Sequence, residues 1–399
     1  MSHGHPMITL TRGRFGTPAS RVMEEVRAAG PVARDAVAHA TGLSLPTVNR
    51  TVSALVRSGL LRERRDAARV GVNGRPGVPV EVDPSRFATL GFHLGRGVAS
   101  VAVGDLRGRV ICHRTVAQPV DQLPDLEELA RLSAQLLGTQ PGRAPLVAGL
   151  VAPWVDLGLD RDATRDRLHD VVGLDVVAAD HVAAVAATEF LHRRHGTGGV
   201  TLYVYARNTV GLAIAVDRGS HTEVSRTGSL THFPTGSEEP CTCGRTGCLA
   251  ATYSDLAVAR RAAAVGVVPP GADVDAVVAA ARAGSDAAHT LLTDRARNLG
   301  RVAAVMRDMA GPDRVVLVGQ AFTDYQPALP VAVEAFEGQT ALGDVDVSFT
   351  RFGAGIQATT ACTVAIGPVY DDPFGLLPSA PAHPPRTSTG SSATKGKIA

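Results

Sequence analysis

Between Pro18 and Ser58 the apolar positions recur at helical spacing, broken twice by turn residues. A first helix is predicted over Pro18 to Ala29, stopped by Gly30-Pro31. A second spans about Ala33 to Thr41. Gly42-Leu43 then makes a tight turn, and Ser44 is a good N-cap with Pro46 in the first turn behind it. The third helix runs to Ser58, with Gly59 as its stop. Within it, Val48, Val52, Leu55 and Val56 form one apolar stripe, and Thr47, Asn49, Arg50, Ser53 and Arg57 occupy the other face. The period then shortens. Leu60-Leu61 and Val78, Val80, Val82 read as two strands flanking an arginine-rich loop.

After Asp83-Pro84 the pattern changes. Three strands in a meander are predicted at Phe87–Leu94, Val98–Asp105 and Arg109–Val116, with Gly95-Arg96-Gly97 and Arg107-Gly108 as turns. A helix near Pro124–Leu137 and a strand at Leu146–Val151 follow. "LDVVAADHVAAVAATEFLHR" reads as a strand running into a helix. The stretch from Gly198 to Gly219 gives two strands separated by Asn208. Largely helical sequence covers about Ser254 to Ala310. Asp313–Phe322 is a buried strand ending at a glycine, and the last helix lies near Gly353–Ile366. A strand meander, a crossover helix and a strand, met twice, predict an α/β body of two lobes. Such a body holds a small ligand in the cleft between them. The predicted domains are residues 1–83, residues 84–377 and a disordered tail over 378–399, rich in Pro, Ser and Thr.

Charge divides the chain at the same place. The net charge is +2. Residues 1–80 carry 12 arginines against 5 acids, and the remainder carries 28 basic against 33 acidic residues. A basic head on a mildly acidic body points to a polyanion-binding module attached to something else. Lysine occurs only at Lys395 and Lys397, so arginine is the default base and a single arginine carries less weight. No apolar run approaches a membrane span, and "MSHGHPMITLTRGRFGTP" lacks a signal-peptide core. A cytoplasmic protein without membrane contact is expected.

Two short helices, a glycine turn, a polar-faced third helix and a wing predict a winged helix-turn-helix for double-stranded DNA. Its N-terminal turns place Ser44, Thr47, Asn49 and Arg50 at the bases. Asn pairs with adenine and Arg with guanine. Arg75, in Gly74-Arg75-Pro76 of the wing loop, suits a minor groove. The competing reading is a helical bundle with an arginine-rich surface.

"CTCGRTGC" (Cys241–Cys248) concentrates three of the five cysteines, and His232 precedes it by nine residues. His232, Cys241, Cys243 and Cys248 supply one imidazole and three thiolates, the donor set of structural Zn2+. Gly244 and Gly247 allow the tight turns that three converging sulfurs need. Free thiols and a redox site are the alternatives. Cys112 and Cys362 sit alone in apolar sequence and read as core thiols.

The cysteine motif with its upstream histidine resembles the zinc signature of the ROK family (repressors, open reading frames and kinases). The helix-turn-helix head places the chain with that family's sugar-responsive repressors of the NagC, Mlc and XylR type. The resemblance spans about Ala19 to Phe374 and implies an actin-like, hexokinase-like body. It implies effector positions at Asp180, Ser229 and His232. The departures bear on activity. Where kinase members carry an Asp-Ile-Gly-Gly-Thr-like turn, this chain reads "HLGRG" (His93–Gly97), and the second Gly-Gly reads Gly319-Gln320. Val182, Ser229 and Ala250 stand where the family has asparagine and acidic sugar ligands. These losses imply no kinase activity. The expected function is a zinc-stabilised repressor of carbohydrate metabolism. It would bind a palindromic operator as a homodimer or homotetramer and respond to a small sugar-like effector. An effector-independent regulator using the body as a dimerisation scaffold and a sugar kinase are the alternatives.

Overall fold

The computed structural model describes residues 8–11, 16–67, 78–117, 122–192, 198–217, 221–350, 352–353 and 355–377. The predicted tail (378–399) and Arg75 with most of the wing loop lie outside the described residues. Strand β1 (Ile8–Thr11) leads the chain. Then come α1 (Pro18–Ala29), α2 (Arg34–Thr41) and α3 (Leu45–Ser58), ending at glycines with positive φ: Gly30, Gly42 and Gly59. Strands β2 (Leu61–Glu63) and β3 (Val80–Val82) pair antiparallel behind α3, Leu61 opposite Val82. The second helix begins one residue later than predicted, because Ala33 is extended and serves as its N-cap.

The first lobe contains β4 (Phe87–Gly95), β5 (Val98–Gly104), β6 (Val110–Ala117), α4 (Leu126–Gly138), β7 (Ala144–Ala152), α5 (Trp154–Leu157), α6 (Arg161–Val172) and β8 (Val176–Asp180). Its sheet order is β6-β5-β4-β7-β8, with the meander antiparallel and β7 and β8 added in parallel. The second lobe opens with α7 (His181–His192), β9 (Gly199–Ala206), β10 (Val210–Asp217) and β11 (His221–Ser229). It continues through α8 (Leu249–Tyr253), α9 (Asp255–Ala264), α10 (Val274–Arg282) and α11 (Asp286–Ala310). After these come β12 (Arg314–Val318), α12 (Gln320–Thr323), α13 (Leu329–Glu337), β13 (Asp346–Phe349) and α14 (Ile356–Asp371). Its sheet, β1-β11-β10-β9-β12-β13, repeats the first lobe's plan with β1 added at the edge. The largely helical sequence predicted from about Ser254 to Ala310 is three helices, separated by glycine and proline turns.

Helix α14 connects the parts. It lies against the first-lobe sheet so closely that a Cβ on Gly149 would sit 2.3 Å from the Ala361 carbonyl oxygen. It runs to Asp371, past the predicted end at Ile366 and through Pro368. A proline near a helix end removes one N–H, and burial of Val369 and Tyr370 holds the last turn in place. These residues belong to a core that joins head and body. Val22, Met23, Val26, Val48, Val52 and Leu55 continue into Leu60, Val80, Phe87, Leu106, Ile366, Val369 and Tyr370. Burying a side chain of this size stabilises by about 1.5–3 kcal/mol, so the head is docked on the body as well as tethered to it.

Candidate zinc centre, interlobe cleft and nucleic-acid interface

Strand β11 ends at Ser229 and the chain enters the cysteine loop. Two isolated bridges, Pro234 with Cys248 and Pro240 with Thr246, fold the loop back on itself. Gly244 (φ +84) and Gly247 (φ +71) turn it, and a Cβ on Gly247 would lie 2.5 Å from the Ser237 carbonyl oxygen. The result brings one ligand atom each from His232, Cys241, Cys243 and Cys248 within 4.8 Å of one another. Cys241 Sγ is 3.6 Å from His232 Nδ1, and Cys243 Sγ is 3.6 Å from Cys248 Sγ. Ligands around tetrahedral zinc are about 3.5–3.8 Å apart, given Zn–S near 2.3 Å and Zn–N near 2.0 Å. The four donors therefore fit that ion by type and spacing, and both glycines serve as predicted. The thiols differ electrostatically. A hydrogen bond from the Arg245 side chain, then one from its main chain, lowers Cys243 to about 6. Burial pushes Cys248 up to about 11. Arg245 was legible only as one more arginine in an arginine-rich chain.

Between the lobes lies a cleft of about 410 Å³, open mouth included. Asp156, Asp180, Val182, Thr209, Thr227 and Ser229 contribute to its walls. Asp180 does two things. It lines the cleft, and its Oδ1 accepts the Val182 and Ala183 N–H groups at 2.9 and 3.3 Å, capping α7. Ser229 is exposed at the rim. Its Oγ donates to Thr231 Oγ1 at 2.9 Å, and Thr231 Oγ1 donates to Asp156 Oδ1 at 3.1 Å. That chain bridges the second lobe to the first, one residue from His232. The start of the cysteine loop thus contacts a cleft wall. His232 was expected at both sites, but it does not line the cleft: its ring lies on the exposed loop against Cys241. Asp156 was not anticipated. Its role arises from a contact 75 residues away in sequence.

Behind the cleft the predicted "HLGRG" turn closes β4 onto β5. His93 and His181 are both buried, and His93 Nε2 is 2.8 Å from His181 Nδ1. His181 meets the Tyr205 ring edge-on at 4.4 Å. Burial, followed by the charge of His181 and of Arg207, holds His93 well below its ordinary range. Burial and then Arg207 push His181 down to about 3. Both rings are neutral at pH 7. Arg96 is exposed and donates to the Asp156 carbonyl at 2.7 Å. Gly319 has φ +103, and a Cβ there would lie 2.3 Å from the Ala206 carbonyl oxygen, so β12 passes close to β9 before Gln320 starts α12. Cys362 is a buried core thiol; Cys112 is half-buried, with Sγ 3.9 Å from the Leu136 carbonyl oxygen.

On the head, Val48, Val52 and Leu55 are fully buried and Val56 partly so. Asn49, Arg50 and Arg57 are exposed on the other side of α3. Ser44 and Thr47 are engaged with each other: the Ser44 hydroxyl accepts the Thr47 N–H at 3.4 Å and lies 2.9 Å from Thr47 Oγ1. Behind α3 the buried carboxylate of Glu81 takes Arg62 at 2.7 Å and Arg64 at 2.9 Å, both from the head, and Arg107 at 2.9 Å, from the body. Burial alone would raise this carboxyl. The hydrogen bonds from Arg62 and Arg64 and the charge of Arg107 outweigh it and hold Glu81 below the ordinary range. Among the described residues, no helix is long and apolar enough to cross a membrane.

A duplicated meander-and-crossover lobe, closed by a final helix around a central cleft, defines an actin-like, hexokinase-like body. The chain belongs to the ROK family. The ROK family model matches residues 157–340. The chain is 37% identical over 386 residues to the transcriptional regulator Rv0485 of Mycobacterium tuberculosis, covering 90% of this chain and 87% of that protein. It is 21% identical over 338 residues to the DNA-binding transcriptional dual regulator NagC of Escherichia coli, covering 77% and 80%. A crystal structure of a ROK family transcriptional regulator, a homologue of the E. coli Mlc protein, superposes with a TM-score of 0.67 at 19% identity, over 88% of this chain and 96% of that one. The ROK hexokinase of Thermus thermophilus matches with a TM-score of 0.53 at 23% identity, over 71% of this chain and all of the enzyme.

Proposed function

We propose that this chain is a DNA-binding transcriptional regulator of the ROK type, a repressor of carbohydrate-related genes. In this reading its three-helix head with the β2–β3 hairpin is a winged helix-turn-helix that reads a palindromic operator. The observation that carries the reading is the two-faced α3. Its apolar stripe is sealed into the core shared with the body, and Asn49 and Arg50 stand exposed at its N-terminal end. Exposed Asn and Arg in the first turns of such a helix are hydrogen-bonding partners for adenine and guanine edges. The names of Rv0485 and NagC support it. Two-fold symmetry of an operator implies at least a dimer.

Zinc, held by His232, Cys241, Cys243 and Cys248, supplies folding free energy to the loop and keeps Thr231 against Asp156. The cleft takes a small carbohydrate-like effector, with Asp156 and Asp180 as acceptors for its hydroxyls and Ser229 at the rim. No phosphoryl transfer is assigned, because His93 stands where kinase members place an acid, and its ring is buried against His181. A second reading, a regulator that ignores small ligands, draws on Val182 in the cleft wall, where the family carries an amide.

Binding to the DNA upstream of its own gene, against a scrambled duplex at physiological salt, tests the proposal. Arg50→Ala is expected to cost about 1–3 kcal/mol on the specific site and much less on the scrambled one. Equal losses on both would make Arg50 a phosphate contact, and equal wild-type affinity for both duplexes would end the operator reading.

A further inference from the structure

The joint between head and body has little slack. Residues 83–86 alone separate β3 from β4, and each of the four is held. The Asp83 N–H donates to the Leu60 carbonyl at 2.9 Å. The Asp83 carboxylate accepts the Ser85 N–H at 2.8 Å and the Ser85 hydroxyl at 2.6 Å. Arg143 of the body donates to the Pro84 carbonyl. The Arg86 carbonyl accepts the Ala144 N–H at 3.1 Å. The Arg86 side chain packs against Gly59, the glycine that ends α3, so closely that a Cβ there would sit 2.3 Å from Arg86 Cδ. A flexible tether leaves its backbone to water; this segment is bonded to head and body along its length.

Contacts on two sides fix the head's orientation. Arg107, in the β5–β6 turn of the first lobe, donates to the Val82 carbonyl through Nε at 3.3 Å and Nη2 at 2.9 Å, and meets the Glu81 carboxylate at 2.9 Å. That carboxylate also takes Arg62 and Arg64 of the neighbouring strand, so Arg107 grips the hairpin behind α3. The Asp105 carboxylate accepts the Arg107 and Arg109 N–H groups at 2.8 and 3.0 Å and shapes the turn that presents Arg107. At the end of α14, Tyr370 holds the Leu106 carbonyl at 2.6 Å and has Arg27 of α1 5.7 Å from its ring centre. The apolar core from Val22 to Tyr370 fills the space between. Restraints at separate points oppose rotation as well as translation.

We infer that the head and the first lobe move as one rigid body, and that the operator is therefore read at a single half-site spacing. The inference rests on the reading of the head as a DNA-binding module. It adds a specificity that the bases facing α3 do not carry, namely the distance between the two half-sites. Arg107 is a positioning residue in this account. It acts through Glu81 and Val82 on the hairpin, and through the hairpin on α3.

Inserting one base pair between half-sites moves the second by about 3.4 Å along the duplex and turns it by about 35°. Heads on flexible linkers follow such a shift at little cost. A docked head follows only by leaving its core or by straining the DNA, so one half-site loses its base contacts. The same rigidity dictates how a signal from the cleft reaches DNA. It changes the distance between two whole head-and-lobe units and does not loosen the head on its lobe.

The test has one arm without DNA and one with it. Hydrogen exchange of the zinc-loaded full chain, followed through rising denaturant, should show peptides from α3 and β4 losing protection together. Anisotropy titrations then use the chain's own upstream operator with one, five or ten base pairs inserted between the half-sites. Each insertion should weaken binding about a hundredfold or more. The longest restores the face of the duplex but not the distance, so it should fare no better. Arg107→Ala should bind the natural spacing within a few-fold of wild type and reduce the single-pair penalty about tenfold. Should that variant fail to fold, Arg107→Lys keeps the charge near Glu81, drops the paired contact to Val82 and should reduce the penalty by a smaller factor. Exchange of α3 ahead of β4, wild-type affinity within a few-fold across the spacings, or a penalty untouched by the Arg107 variants overturns the inference. Specific binding without a spacing penalty would leave the DNA-binding reading standing. Absence of specific binding would end that reading and the spacing claim together, and the exchange arm would still decide whether the head is docked.

Discussion

At Cys243 a single sulfur decides two properties together. Cys243→Ser should lower zinc content below one ion per chain and lower the melting temperature by several degrees. Metal analysis beside calorimetry checks both, and unchanged stoichiometry would mean the ligand set is misassigned. At Ser44 the measurable effect is on stability. Its hydroxyl caps α3 and is occupied with Thr47, so Ser44→Ala should cost about 1 kcal/mol of stability by thermal or denaturant unfolding. The convergence of His232 with the three cysteines was legible in the sequence because three cysteines and two glycines within eight residues leave little else for the loop to do. Arg245 and Asp156 were not legible. One is camouflaged by a chain in which arginine is nearly the only base, and the other acts through Thr231 and the Arg96 turn, contacts that exist only after the lobes fold together. His93 read as a lost acid. Its partnership with His181 spans 88 residues and leaves no local trace.

At the scale of elements, strand β3 carries the most consequential charge. Glu81 gathers Arg62 and Arg64 from the head and Arg107 from the body. Its carboxyl lies below the ordinary value in the folded chain. A depressed carboxyl contributes its stability in full above the unfolded value, about 4.3, and loses it as pH falls through the folded one. Unfolding measured from pH 7 downward should therefore show a loss of stability below about pH 5 that Glu81→Gln reduces. At pH 7 that substitution should cost about 1–3 kcal/mol. A variant with the wild-type acid limb would show that Glu81 does not hold the head. Elements with a clear period were readable: the three head helices, the first meander, β9 with β10, and the strand at Arg314–Val318, whereas β11 was not predicted. Helix α6 was missed because its sequence, RDATRDRLHDVV, buries only Leu168 and has almost no apolar face. Strands β1 and β13 were missed because edge strands of four residues draw their identity from their neighbours, β11 and β12. Helix α14 was cut short at Pro368's approach, where tertiary burial overrides a local stop signal.

The whole molecule is joined by α14. Its sixteen residues span about 24 Å, from Gln357 behind the cleft to Tyr370 beneath the head. Tyr370 donates to the Leu106 carbonyl at 2.6 Å and holds Arg27 of the head 5.7 Å from its ring centre. Tyr370→Phe removes one buried hydrogen bond, about 1 kcal/mol. It should weaken the effector's influence on DNA more than DNA binding itself, as read from operator titrations with and without effector. The sequence alone separated head from body by charge and period. It did not reveal that they share one core, since that core is built from residues as far apart as Val22 and Tyr370. The most direct test of the account is fluorescence-anisotropy titration of the zinc-loaded protein on its own upstream DNA, in moderate salt with competitor, across sugars and sugar phosphates. The account predicts specific binding whose midpoint one compound moves several-fold to a hundredfold, a coupling of about 1–3 kcal/mol. Binding that treats all duplexes alike, or specific binding indifferent to every compound, would contradict it.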